Sequence, residues 1–225
     1  KNDKSNITAG NISGTGEFNK EGNKKLTLTG DNANFTGDTN INSGTLAFDN
    51  AGNNAFVNGN VDVAGTLEYT TTQDGSITNT ITGNGIFNKL GTEVLSITGD
   101  ESGFVGTTNI KEGTLSYDDA NGGKFVGGEV NITGALDYTT GANSFTTMNN
   151  KLSGSGEFNK LGEGTLTYAG NGAEFSGTTN IAAGTLAYNN ANGKFVGGDV
   201  TVTGTLEYTA GANTTDTLNN KIVGT

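Results

Sequence analysis

Three near-copies of one phrase constrain this chain more than anything else in it: GTGEFNKEGNKKLTLTG at positions 14–30, GNGIFNKLGTEVLSITG at 83–99 and GSGEFNKLGEGTLTYAG at 154–170. Their first glycines are Gly14, Gly83 and Gly154, and Gly224 opens a fourth copy at the same even interval. A fixed period of this kind is the mark of stacked units, none of which buries its apolar face alone. The expected division is the end of a preceding copy at 1–13, copies at 14–82, 83–153 and 154–223, and the start of another at 224–225, a length out of a longer array.

A shorter period lies inside the long one. Leucine followed two positions later by a second large apolar side chain occurs nine times, from Leu26/Leu28 and Leu46/Phe48 through Leu67/Tyr69 to Leu206/Tyr208. The interval from Leu26 to Leu46 recurs almost unchanged along the chain, except that the steps from Leu67 to Leu95 and from Leu136 to Leu166 are longer by nearly half a unit. Both long steps follow the third unit of a copy. Alternation puts each pair on one face of a strand and turns the residue between them outward. A second apolar set precedes it, as in Phe35 then Ile41 and Phe175 then Ile181, with glycine corners such as NSG at 42–44 between. Short strands and corners in units of about 20 residues are expected to coil and stack as an all-β, right-handed parallel β-helix. About nine coils at the β spacing of about 4.8 Å give a rod of roughly 43 Å. The L-x-x-L-x-L-x-x-N frame of leucine-rich repeats and the signatures of propeller blades are absent.

Composition agrees and excludes several functions. The 225 residues include 38 Gly and no Pro, and only 32% are hydrophobic, yet 11 Phe and 6 Tyr recur at fixed places, unlike a disordered chain. A net charge of −11 leaves no basic groove for a nucleic acid or an anionic membrane surface. With no His and no Cys, neither a Ser-His-Asp triad nor a Cys-His pair can be assembled, and no disulfide forms. No apolar run is long enough to make a transmembrane helix.

The stretch at 154–186 resembles the passenger-associated repeat of Gram-negative autotransporters. The pattern G-x-F-x-K-x-G-x-G-x-L-x-Y-x-G is carried by Gly156, Phe158, Lys160, Gly162, Gly164, Leu166, Tyr168 and Gly170, and continues through Phe175, Gly177, Thr179, Ile181, Gly184, Thr185 and Leu186. The motif returns at 14–46 and 83–115, with GNKKL and GTEVLSI as departures at a corner. The resemblance implies a right-handed β-helical passenger, at the cell surface or secreted, exported through a C-terminal β-barrel that is not among these residues. It also implies an adhesin or adhesin stalk, with a host-cell glycan or protein receptor, or another copy of itself, as partner.

Few other residues invite chemistry. Glu68, Asp137 and Glu207 point outward from the third unit of each copy, three coils or about 14 Å apart, too far for paired acid/base work. A polysaccharide-degrading enzyme is therefore the weaker alternative. Asp49-Asn50, Asp118-Asp119 and Asn189-Asn190 close strands and read as turn formers before calcium ligands. Gly14/Gly16 and Gly83/Gly85 read as corners, since no phosphate-loop Lys-Ser/Thr follows. The threonines preceding each leucine form no regular outward lattice, because Ala, Glu, Ser and Asp interrupt it. No catalytic, metal or cofactor residue is assigned. Binding is sought instead in the extra Thr/Asn/Gly-rich segments at 70–80, 139–151 and 209–221, expected to bulge from one side of the rod every three coils as an adhesive or self-associating ledge.

Overall fold

A computed structural model describes residues 5–51, 56–119, 125–189, 195–211 and 217–224. Among them are 25 strands and no α-helix. The first copy and the residues before it hold β1 (Ile7–Ala9), β2 (Phe18–Lys20), β3 (Lys25–Leu28), β4 (Thr39–Ile41), β5 (Thr45–Asp49), β6 (Val61–Val63), β7 (Thr66–Thr70), β8 (Gly75–Ile77) and β9 (Ile81–Gly83). The second holds β10 (Ile86–Leu90), β11 (Val94–Ile97), β12 (Thr107–Ile110), β13 (Thr114–Asp118), β14 (Glu129–Ile132), β15 (Ala135–Thr139), β16 (Phe145–Met148) and β17 (Leu152–Gly154). The third holds β18 (Glu157–Leu161), β19 (Thr165–Tyr168), β20 (Glu174–Phe175), β21 (Thr178–Ile181), β22 (Thr185–Asn189), β23 (Val200–Val202), β24 (Thr205–Thr209) and β25 (Ile222–Gly224).

Every strand pairing is parallel, between residues one turn apart. The first face of the solenoid is the nine-stranded sheet β1-β3-β5-β7-β10-β12-β14-β17-β20, so the coil makes about nine turns, as its leucines foretell. The second face is the eight-stranded sheet from β8 to β25, and the third carries the two four-stranded sheets β2-β4-β6-β9 and β16-β19-β22-β24. Three faces are visited in fixed order: β6, β7 and β8 lie in three different sheets, and β9, β10 and β11 return to the same three. The core is the column of inward side chains down the axis, with Leu46, Leu67, Phe104, Leu136, Phe158 and Leu166 fully buried.

The phase of the repeat is a finding. Partners on the first face, from Ile7↔Leu26 to Thr108↔Val130, are separated by one short unit, and a long copy such as 83–153 is three and a third such turns, not three. Each copy therefore begins one face further round. The Phe-Asn-Lys strand is β2 on the third face, β10 on the first and β18 on the second. The long steps after the third unit supply the extra third of a turn as wall: β8 pairs with β11 and β16 with β19, and Ile77 and Met148 point into the core. The expected bulges are thus corrected twice. Residues 70–80 and 139–151 form part of the coil, and β8 and β16 lie on different faces. In the third copy residues 212–216 fall outside the described residues.

The same phase shift interrupts the columns of like side chains at each copy boundary and separates the outward acids. Leucine stacks on leucine and aromatic on aromatic within a copy, as in Leu26↔Leu46↔Leu67 and Tyr117↔Tyr138. At the copy boundary the column changes to Leu67↔Phe87 and Tyr69↔Lys89. Glu68, Asp137 and Glu207 sit in β7, β15 and β24, on three faces rather than in one row. On the outside, Asn-to-Asn ladders tie successive turns: Asn40 donates to Asn19, Asn109 to Asn88 and Asn180 to Asn159 at 2.9, 2.9 and 2.7 Å.

One inward column is imperfect. Thr39, Thr108 and Thr179 stack on Phe18, Phe87 and Phe158, and their hydroxyls are buried without a hydrogen-bond partner. An orphaned buried hydroxyl destabilises, so Thr108→Val is expected to raise stability by about 1 kcal/mol, read as a higher urea midpoint.

Candidate functional site

The lysine of the repeated phrase is where sequence reasoning missed most. Lys20, Lys89 and Lys160 are 2%, 0% and 0% exposed. Lys89 Nζ donates to the carbonyls of Leu90, Gly91 and Glu112 at 3.2, 2.6 and 3.0 Å. Lys160 does the same to Leu161, Gly162 and Ala183, and Lys20 to Glu21, Gly22 and Ser43. Each ammonium has three protons and meets three acceptors, two in its own turn and one in the next. Gly22, Gly91 and Gly162 supply one acceptor each, with φ of 80°, 79° and 72°, a backbone that glycine adopts without strain. Burial pushes the Lys89 ammonium down to about 8, opposed by Glu112 and Glu93. The signal is present in the sequence: a lysine two positions after a core phenylalanine on a strand shares its inward face.

A second set of staples comes from the extra segments. Asn79, Asn150 and Asn220 each donate from Nδ2 to two carbonyls one turn below: Val57 and Gly59, Val126 and Gly128, Val196 and Gly198. Asn50 and Asp119, read as turn formers, fasten the same segments from the turn before. Asn50 Oδ1 accepts from Thr72 N at 2.8 Å, and Asp119 accepts from Gly141 N, Ser144 Oγ and Thr146 Oγ1. Asn190 lies outside the described residues. Among the described residues no cluster of three or more Asp or Glu fit to hold a metal occurs. Glu68 pairs with Lys25 at 2.6 Å, and Asp137 accepts from Asn159 at 2.8 Å, so these outward acids serve the wall.

These staples frame one open crevice per copy. In the second copy it measures about 430 Å³, between Phe125-Val126-Gly127 and Thr146 to Asn150, with Tyr117, Asp119 and Tyr138 behind. Its counterparts, about 350 and 340 Å³, lie between Val57 and Ser76 to Asn79, and between Val196 and Thr217 to Asn220. Each is backed by an aromatic trio in which the Phe that re-enters the coil wedges against two strand aromatics. Ring centres are 4.3 Å apart for Phe48–Phe56 and 5.5 Å for Phe56–Tyr69. They are 5.2 and 5.4 Å for Phe125 against Tyr117 and Tyr138, and 5.0 and 6.2 Å for Phe195 against Tyr188 and Tyr208. Burial pushes the Tyr117 and Tyr138 hydroxyls well above their ordinary range, with Asp119 reinforcing both. They are neutral donors rather than nucleophiles. The crevices offer apolar contact, amides and hydroxyls, and by phase they face three directions round the rod.

The fold and these repeated staples define a parallel β-solenoid built from passenger repeats. The model of the passenger-associated-transport-repeat family matches residues 18–48, 87–116 and 158–187, so the chain carries three of these repeats, which supports an autotransporter passenger segment. Each match begins at the core phenylalanine and encloses a whole lysine cage. The chain is also similar to an uncharacterized lipoprotein, YdeK, of Escherichia coli (strain K12), at 31% identity over 182 residues, covering 80% of this chain and 13% of that protein. The chain thus spans about an eighth of that relative's length. No solved structure matches.

Proposed function

We propose that this segment is a non-enzymatic rod in a passenger at the surface or envelope of a Gram-negative bacterium, where it acts as an adhesin or an adhesin stalk. The observation carrying the adhesive part is the recurrence of an open crevice, with the same aromatic and asparagine frame, once per copy and once per face. A partner, whether a host glycan, a host protein or a second rod, meets equivalent contacts from any side, which suits multivalent attachment.

Ser76, Thr147 and Thr217 are exposed equivalents that line the three crevices. Replacing all three with Trp is expected to abolish binding of the rod to host cells or a glycan array while leaving its melting unchanged. Undiminished binding would show that the crevices are not the contact. Homotypic association is favoured by one observation, Phe145, 85% exposed beside the second crevice. Rods that clump equally well as Phe145→Ser remove that reading, and turnover of any polysaccharide in a panel removes the non-enzymatic one.

A further inference from the structure

Glu101 is 1% exposed, and both of its carboxylate oxygens are buried without a hydrogen-bond partner. The same corner in the other copies is occupied differently. Phe35, Phe104 and Phe175 each donate their backbone N–H to the residue three before, which is Asn32, Glu101 and Gly172. Asn32 is as buried as Glu101 but satisfied: its Nδ2 donates to Gly30 O at 2.7 Å and its Oδ1 accepts from Ile12 N at 2.9 Å. An acid therefore stands where the fold elsewhere holds a neutral amide or no side chain.

No compensating cation faces it among the described residues. On its own segment Asp100 adds like charge, with its carboxylate accepting from Ser102 N and Oγ. From the turn above, Tyr117 faces it, with Asp119 and Tyr138 beyond. From the turn below comes the neutral Asn79, whose carbonyl and Glu101 Oε1 both crowd Gly99. Lys124 lies outside the described residues.

We propose that Glu101 is carried as a neutral acid and makes the corner at 98–104 a pH-labile joint of the solenoid, closed while protonated and driven open by ionisation. An ionised carboxylate without partners is excluded from so dry a place. Because each turn contacts only its neighbours, opening stays local. Burial, reinforced by Asp100 and opposed by the backbone, pushes the carboxyl from 4.5 up to about 8. The sign follows from linkage: the closed state holds an extra proton between those values. Closure is therefore fully favoured below about 4.5, weakens about tenfold per pH unit above it, and levels off above about 8. This is the reverse of a carboxylate stabilised by a salt bridge.

The test is hydrogen exchange at the amides of Phe104 and Val105 in the whole chain, corrected for intrinsic rate, at pH 5.5, 6.5, 7.5 and 8.5. The ratio of opening in wild type to Glu101→Gln is expected to climb about tenfold per unit up to pH 7.5 and then flatten. Glu101→Asn, matching Asn32, is expected to track the Gln variant. A ratio independent of pH overturns the proposal. So does a pH slope that emerges only in Lys124→Met, because that outcome means Lys124 pairs with an already ionised Glu101.

Discussion

Lys89→Met is expected to lower the stability of the solenoid by about 3 kcal/mol, since each buried carbonyl left without a donor costs about 1 to 3 kcal/mol. The methionine fills much the same space but donates nothing, leaving the carbonyls of Gly91 and Glu112 without their lysine donor while the Leu90 carbonyl keeps Thr71 N and Oγ1. Gly91 and Glu112 belong to successive turns, so the loss falls on the joint between turns. Exposed Lys24→Met supplies the control and is expected to shift the urea midpoint little. Lys20→Met and Lys160→Met are expected to match Lys89→Met, since the three cages are copies, and to add to it nearly in full, since they lie turns apart. A midpoint for Lys89→Met equal to that of Lys24→Met would show that the cage contributes nothing.

Gly83→Ala is expected to cost about 3 kcal/mol or more, combining an unfavourable backbone with overpacking. Gly83 has a φ of 106°, as Gly14 and Gly154 have 125° and 101°, a region L-residues rarely enter. Space is lacking as well: an added Cβ would strike the Val63 carbonyl oxygen of the turn below. That turn cannot retreat, because the Val63 carbonyl accepts from Gly85 N at 2.8 Å. Gly10, around which a Cβ meets nothing, is the matched control, and Gly10→Ala is expected to leave the midpoint unchanged. Equal midpoints for the two alanine variants would overturn the corner assignment.

Both residues belong to the phrase that announces the repeat, and they show how much of the molecule is legible in the chain. Alternation marks Phe18, Leu26 and Leu28 as inward, and all three pack on the core. Gly83 is legible as a corner from its composition alone. Lys89 escapes such a reading because a charged residue is ordinarily solvated, although its place two positions after Phe87 marks it as inward. The crevices are half legible. Length and composition single out the extra segments, but as bulges, whereas β8 and β16 are wall and the open space lies beneath them.

The sequence by itself determined the unit, the stacking and the chemistry that is unavailable. A leucine pair in every short unit, with glycine between, can bury its apolar face only against its own copies, and a chain without His or Cys lacks the usual nucleophile partners. Only the tertiary structure decided the phase. The extra length reads identically whether it loops outward or completes a third of a turn, and the difference is set by pairing between turns, as when Tyr69 finds Lys89 rather than another tyrosine. That choice places each copy one face round from the last. It spreads three equivalent crevices around the rod instead of along one side of it.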